Sequence, residues 1–192
     1  MGGNRRELPD QQSQLISWLR MLVRNQHVLV FGAERPFAFE AIEALLALGA
    51  NVLAAATLRT ELEHLRAKLR QHHRLNVAEC AVSEPEGPER LLEATYRRGH
   101  LDAVLHVADD RLDWGPEVRA LTVAISRALR GEPVKVVLAS AMAPGQHETL
   151  GHDLLARDVG TREFAATLVY DPTDTRPALY TMLSLLSPTL AP

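Results

Sequence analysis

Two side chains with chemistry to offer sit where apolar residues would be expected. His106 interrupts the run Leu101-Asp-Ala-Val-Leu-His-Val-Ala108, and Ser140 closes Val134-Lys-Val-Val-Leu-Ala-Ser140. An imidazole changes charge nearest to neutral pH, so His106 is a candidate acid or base as well as a candidate core histidine hydrogen-bonded to a neighbour. Ser140 is a candidate hydroxyl donor at the end of the same kind of run. A third feature is the loop Gly32-Ala-Glu-Arg-Pro-Phe-Ala38, which follows the apolar stretch His27-Val-Leu-Val-Phe31 and opens a helical pattern. Backbone N–H groups at such a strand-to-helix turn can cradle phosphate.

Other catalytic patterns do not occur in the sequence. It has no Gly-x-Ser-x-Gly elbow, no Gly-Lys-Ser/Thr phosphate loop, no His-Glu-x-x-His and no cysteine pair. His147 and His152 are five positions apart, a poor helical spacing for sharing a metal, so no metal is assigned. His72 and His73 are adjacent, and on a helix they would point to different sides. The stretch 59–74 is rich in arginine but carries Glu61 and Glu63, the pattern of a solvated helix face. Cys80, the single cysteine, reads as a small buried residue on a strand and can close no intramolecular disulfide.

The elements that must position these groups alternate in type. Helical spacing is found over 10–24, from the loop above to Gly49, and over 60–72, 88–98 and 116–130; short apolar runs cover 27–31, 52–55, 76–82, 103–107 and 134–140. Beyond Pro144 the signal weakens to a helix over 148–157, a sixth strand over 165–170 and a last helix over 177–186. Near-continuous apolar strands alternating with helices predict a doubly wound parallel α/β sheet of the Rossmann type, a single domain with helices on both faces. Residues 1–26 read as an N-terminal tip with an amphipathic helix, and 27–192 as the Rossmann-like domain.

Length and composition agree with one soluble domain: 192 residues, 46% hydrophobic, 23% charged and a net charge of −3. That charge gives no excess cation for nucleic acid. The apolar run 44–58 is broken by Gly49 and Asn51 and is shorter than the roughly 20 residues a membrane span needs. The polar start and single cysteine predict a cytoplasmic protein with no membrane partner.

Set in order, these stretches resemble the short-chain dehydrogenase/reductase family. The resemblance runs from about His27 to Ala143 through Val28-Leu-Val-Phe-Gly-Ala33, Leu45-Leu-Ala-Leu-Gly-Ala-Asn-Val52, Cys80-Ala-Val-Ser-Glu-Pro-Glu86, Leu101-Asp-Ala-Val-Leu-His-Val-Ala108 and Val136-Val-Leu-Ala-Ser-Ala141. It implies a nicotinamide dinucleotide, NAD or NADP, at the first strand-to-helix loop, with Gly32, Ala33, Glu34, Arg35, Phe37, Thr57, Arg59 and Ala108 as the cofactor-binding candidates. It also implies pairing of copies through the helices that flank the fourth and fifth strands.

The departures fall on functional positions. The family's loop is Thr-Gly-x-x-x-Gly-x-Gly, and here Phe31 stands for the threonine while Pro36 and Ala38 stand for the second and third glycines. Proline suits the first helical turn but removes an N–H, and Glu34 adds negative charge that Arg35 offsets. The loop therefore reads either as a plain turn with a proline-started helix or as a retained dinucleotide site. After the second strand, Ala55-Ala-Thr-Leu-Arg59 has no ribose-binding carboxylate; Thr57, Arg35 and Arg59 favour a phosphorylated dinucleotide, although Arg59 reads equally as a solvated helix opener. Ala81 replaces the adenine-contacting aspartate, and His106-Val-Ala-Asp109 replaces Asn-Asn-Ala-Gly.

Ala141, Leu154 and Asp158 stand where the family's Ser, Tyr and Lys would be, and no Tyr-x-x-x-Lys occurs anywhere. The chain is also short for the family. The sequence thus predicts a pseudoenzyme: a non-catalytic binding or scaffold module, with weak NAD or NADP binding or none. The alternative is a divergent NAD(P)-dependent oxidoreductase using Ser140, His106 or Tyr170. Apolar surface on helix 116–130, the N-terminal helix and the tail 179–190 predicts a homo-oligomer or a protein partner.

Overall fold

The computed structural model describes residues 8–70, 72–82, 86–98, 101–108, 134–141 and 165–186, and six residues between 121 and 128. Predicted helix 148–157, His147, His152, Leu154 and Asp158 lie outside the described residues, as does most of helix 116–130.

Six strands form one parallel sheet in the order β3-β2-β1-β4-β5-β6, with β1 His27–Phe31, β2 Asn51–Ala56, β3 Leu75–Glu79, β4 Ala103–Ala108, β5 Lys135–Ala141 and β6 Ala165–Tyr170. Every ladder is parallel: Val30 aligns with Ala54 and Leu105, Leu105 with Val137, and Val137 with Ala166. β1 and β4 stand at the centre, where the strand order reverses. In doubly wound sheets that reversal opens a ligand crevice at the C-terminal strand ends.

Each central strand is buried on both faces, which is why β4 is apolar at every position but one. Val28, Val30, Ala54, Leu105 and Val137 face a core closed by α1 (Leu8–Val23), α2 (Pro36–Ala47), α3 (Arg59–Lys68) and α5 (Arg176–Leu186). Leu29, Phe31, Val104, Val136 and Leu138 face the other, closed by Leu92 of α4 (Glu86–Arg98) and by helical residues Leu121, Ala124 and Ile125. Leu19 and Val23 of α1 belong to the first core. No described helix is long and apolar enough to cross a membrane.

Several boundaries differ from expectation. The helix predicted to reach residue 72 ends at Lys68, because Arg70 takes a left-handed turn (φ 51°) without a glycine to announce it. His72 and His73 therefore lie past the helix, and their rings stack (centroids 4.8 Å apart, planes at 16°) instead of pointing to different sides. β3 ends at Glu79, so Cys80 follows the strand; it is buried and its N–H donates to the Ala56 carbonyl at 2.8 Å. On the helix predicted over 116–130, Leu121 and Ile125 are covered within the monomer, so they add nothing to an exposed apolar face.

The N-terminal ends of the strands are tied by a polar cluster the sequence did not reveal. Arg74 donates from one Nη1 to the Asn25 side chain (2.9 Å) and to the Gly49 carbonyl (2.7 Å), while the Asn25 N–H donates to that same carbonyl at 2.9 Å. Asn51 donates from Nδ2 to the Asn25 carbonyl at 3.3 Å. Asn25 and Gly49 both have positive φ, so the turns before β1, β2 and β3 meet at one point.

Candidate functional site

The loop after β1 owes its shape to one glycine. Gly32 has φ 73°, and a Cβ there would stand 2.2 Å from the Val107 carbonyl oxygen, so only glycine lets β1 turn this close to β4. The Ala33 N–H donates to the Ala55 carbonyl and the Arg35 N–H to the Gly32 carbonyl, each at 3.0 Å. Pro36 has no N–H and starts α2, with Arg35 in the N-cap position and no side-chain cap. The Phe39 N–H reaches the Arg35 carbonyl, which leaves Phe37 and Ala38 as the first-turn N–H groups without a helical acceptor.

Charges on the loop are paired locally. Arg35 Nε lies 3.5 Å from Glu34 Oε1. The sequence placed both residues beside a ligand's phosphates; the structure brings them to each other. Phe37 is fully buried and stacks on Tyr170 at the end of β6, centroids 4.3 Å apart and planes at 17°. This contact joins two residues far apart in sequence at the C-terminal ends of the strands.

A cleft of about 140 Å³ remains there, lined by Arg35, Phe37, Glu40, Ala108, Tyr170 and Thr175 among others. Glu40, on α2, accepts a hydrogen bond from the Thr175 hydroxyl, while the Thr175 carbonyl accepts from the Leu179 N–H in the first turn of α5. A carboxylate at the start of α5 suits the positive end of that helix. Below it, the Asp171 carboxylate takes hydrogen bonds from the Thr173 N–H (2.8 Å) and hydroxyl (2.7 Å), and the Thr173 hydroxyl contact is the main reason its pKa is lowered.

The remaining candidates scatter. Ala108 lines the cleft; Thr57 is exposed at the end of β2. Arg59 opens α3 and pairs with Glu63 one turn on (Nε to Oε1 3.2 Å), both side chains well exposed, so it behaves as the solvated helix opener. Ser140 lies on β5 beside Ala108 of β4 and Val169 of β6. His106 aligns with Phe31 and Leu138 and is 2% exposed, and neither ring nitrogen has a hydrogen-bond partner among the described residues. Burial, then the positive charge of Arg35, lowers its pKa from 6.5 to about 4, so the ring is neutral at pH 7. The core histidine that the sequence suggests is core, and no hydrogen-bond partner for it lies among the described residues.

Sequence reasoning missed Glu40 and Thr175, and it named Tyr170 only as a group for a divergent oxidoreductase. The usable signal was the sixth apolar run: a parallel sixth strand beside β5 must end on the same side as β1.

No family model matches the chain, and no curated protein matches it by sequence. Solved structures do. A short-chain dehydrogenase from Mycobacterium smegmatis superposes with a TM-score of 0.63 at 19% identity, covering 86% of this chain and 87% of that one. The citronellol catabolism dehydrogenase of Pseudomonas aeruginosa gives 0.59 at 16%, covering 87% and 90%. Yeast methylglyoxal/isovaleraldehyde reductase Gre2, solved with NADPH, gives 0.50 at 19%, covering 60% of this chain and 37% of the reductase. At such identities the likeness is one of fold, and the chain has the short-chain dehydrogenase/reductase fold in a diverged form.

Proposed function

We propose that this chain is a non-catalytic binding or scaffold module built on an oxidoreductase fold, with weak affinity for NAD or NADP or none. The observation that carries this reading is the state of the phosphate end of the crevice. Of the N–H groups there, those of Ala33 and Arg35 already serve backbone carbonyls, and Pro36 has none to give. Glu34 lies against Arg35, so the loop's one cation has its own counter-charge. The cleft holds about 140 Å³, below the roughly 300–1,000 Å³ of pockets that enclose a drug-sized ligand. The N–H groups of Phe37 and Ala38 remain, but the paired charge and the small room fit a dinucleotide poorly.

Catalysis lacks support for a separate reason. Reducing a carbonyl requires a positioned proton donor, a contribution of roughly 10² to 10⁴ in rate, and the sequence has Ala141, Leu154 and Asp158 at the positions the resemblance gives to Ser, Tyr and Lys. A carboxylate in the cation's place raises a neighbouring acid's pKa. The experiment is a spectrophotometric assay of NADH and NADPH consumption with a carbonyl panel, beside calorimetric titration of both cofactors. No turnover is expected. Glu34→Ser with Pro36→Gly should tighten cofactor binding, and Arg35→Ala should weaken it. Robust consumption abolished by substituting Ser140 or His106 would replace this reading with a divergent oxidoreductase.

A further inference from the structure

The arginine-rich stretch 59–74 has no part in the proposed function, and the structure divides it in two. Its carboxylates sit early on α3, where Glu63 pairs with Arg59. Between Glu63 and Glu79 the chain carries Arg66, Lys68, Arg70 and Arg74 but no carboxylate, in a protein of net charge −3. None of these four cations has a carboxylate partner among the described residues. Arg74 is held by the Asn25 side chain and the Gly49 carbonyl, both uncharged, and Lys68 Nζ lies 5.2 Å from the centre of the Phe39 ring. The end of α3 makes little demand on Arg66, because its last carbonyls already take backbone N–H groups: Leu65 from Leu69 at 3.0 Å, Ala67 from Arg70 at 3.2 Å and Leu69 from His72 at 3.2 Å.

Beside that turn lies a hollow of about 340 Å³, lined by Arg66, His72, His73 and Leu75, within the roughly 300–1,000 Å³ of small-molecule sites. The two imidazoles stack over one another. His72 Nδ1 accepts the Arg74 N–H at 3.2 Å, so the neutral ring carries its proton on Nε2, and that N–H has no acceptor among the described residues. A guanidinium from α3 and imidazoles from the turn after it thus reach one hollow with no carboxylate among its lining residues. Such a set suits an oxoanion with several oxygens and more than one charge, since an arginine forks onto two oxygens and an imidazole N–H takes a third. A carboxylate has two oxygens and one charge, and a cation meets only its own sign.

We propose that this hollow binds phosphate, free or as the phosphoryl group of a small monoester, with Arg66 on two oxygens and His72 and His73 on the others. The contacts of Arg74 with Asn25 and Gly49 put the site at the N-terminal ends of the strands, opposite the crevice of a dinucleotide. Its outcome is therefore separate from that of the scaffold reading.

The test is calorimetric titration of the full chain, at low ionic strength, with inorganic phosphate, phenyl phosphate and acetate. At least one phosphate compound should bind at roughly millimolar Kd, and acetate at least about ten-fold more weakly. Tighter binding of phenyl phosphate assigns the site to a monoester, tighter binding of inorganic phosphate to the free ion. Arg66→Gln should weaken binding about ten-fold, whereas Lys68→Gln, which removes the same charge outside the hollow, should change it less than about two-fold, both with an unchanged circular dichroism spectrum. On the unmodified chain, phosphate should move the NMR ring signals of His72 and His73 and leave those of buried His106 in place. No binding by either phosphate compound, acetate binding as tightly, equal losses in the two variants, or His72 and His73 signals that stay put overturns the proposal.

Discussion

Replacing His106 by leucine should stabilise the protein, and the gain should grow as the pH falls. The imidazole is buried between β1 and β5 with neither nitrogen hydrogen-bonded among the described residues. An unsatisfied buried polar group costs about 1–3 kcal/mol. Leucine fills a similar volume without that cost, so a gain of about 1–2 kcal/mol at pH 8 is expected, or about 2–8 °C in Tm for a chain of this size. The pH dependence follows from linkage. The folded-state pKa of about 4 lies below the ordinary 6.5, so between these values the unfolded chain binds the extra proton and acid favours unfolding. Above pH 6.5 the group contributes no slope; stability is lost as pH falls from 6.5 through 4. At pH 5 the loss is about 2 kcal/mol, and it approaches roughly 3 kcal/mol in full. Urea denaturation of both proteins at pH 8 and pH 5 measures this directly. The stability difference in favour of His106→Leu should widen by about 2 kcal/mol between the two pH values. A parallel pH dependence in the two proteins, or a variant less stable at pH 8, would refute the assignment of a neutral, unsatisfied imidazole.

Three further outcomes are expected. Gly32→Ala should cost about 3 kcal/mol or more, since the new Cβ meets the Val107 carbonyl and the backbone is left-handed; the urea midpoint measures it, and an unchanged midpoint contradicts the close approach. Arg74→Ala should cost about 1–2 kcal/mol by removing its hydrogen bonds to the Asn25 side chain and the Gly49 carbonyl, read as a drop in Tm. Light scattering should return at least twice the mass of one chain, with Trp18, Met21 and Tyr180, all exposed, as the apolar side chains offered on α1 and α5; a monomer mass at micromolar concentration counts against association.

Strands buried on both faces write themselves into a sequence as unbroken apolar runs, which is why β1, β4 and β5 and the parallel sheet were legible. The cleft was not, because its parts arrive from separate segments: Glu40 and Thr175 are 135 positions apart and meet only when β6 ends beside the other strands. Periodicity carries no information about such a meeting. The end of α3 was hidden for a local reason, since Arg70 adopts a conformation its residue type does not advertise. For His106 the sequence shows that a polar group interrupts β4, but whether anything reaches its nitrogens depends on packing.

The knot formed by Asn25, Gly49 and Arg74 has a bearing on what holds the sheet together. It fastens three returning connections at the end of the sheet opposite the cleft, so strand order and register have an anchor that owes nothing to what the cleft holds. The cleft end has long-range contacts of its own, Phe37 on Tyr170 and Thr175 on Glu40. Gly32 admits no relaxation there, being pressed against the Val107 carbonyl of β4. The sheet is thus held at the end that the cleft does not reach.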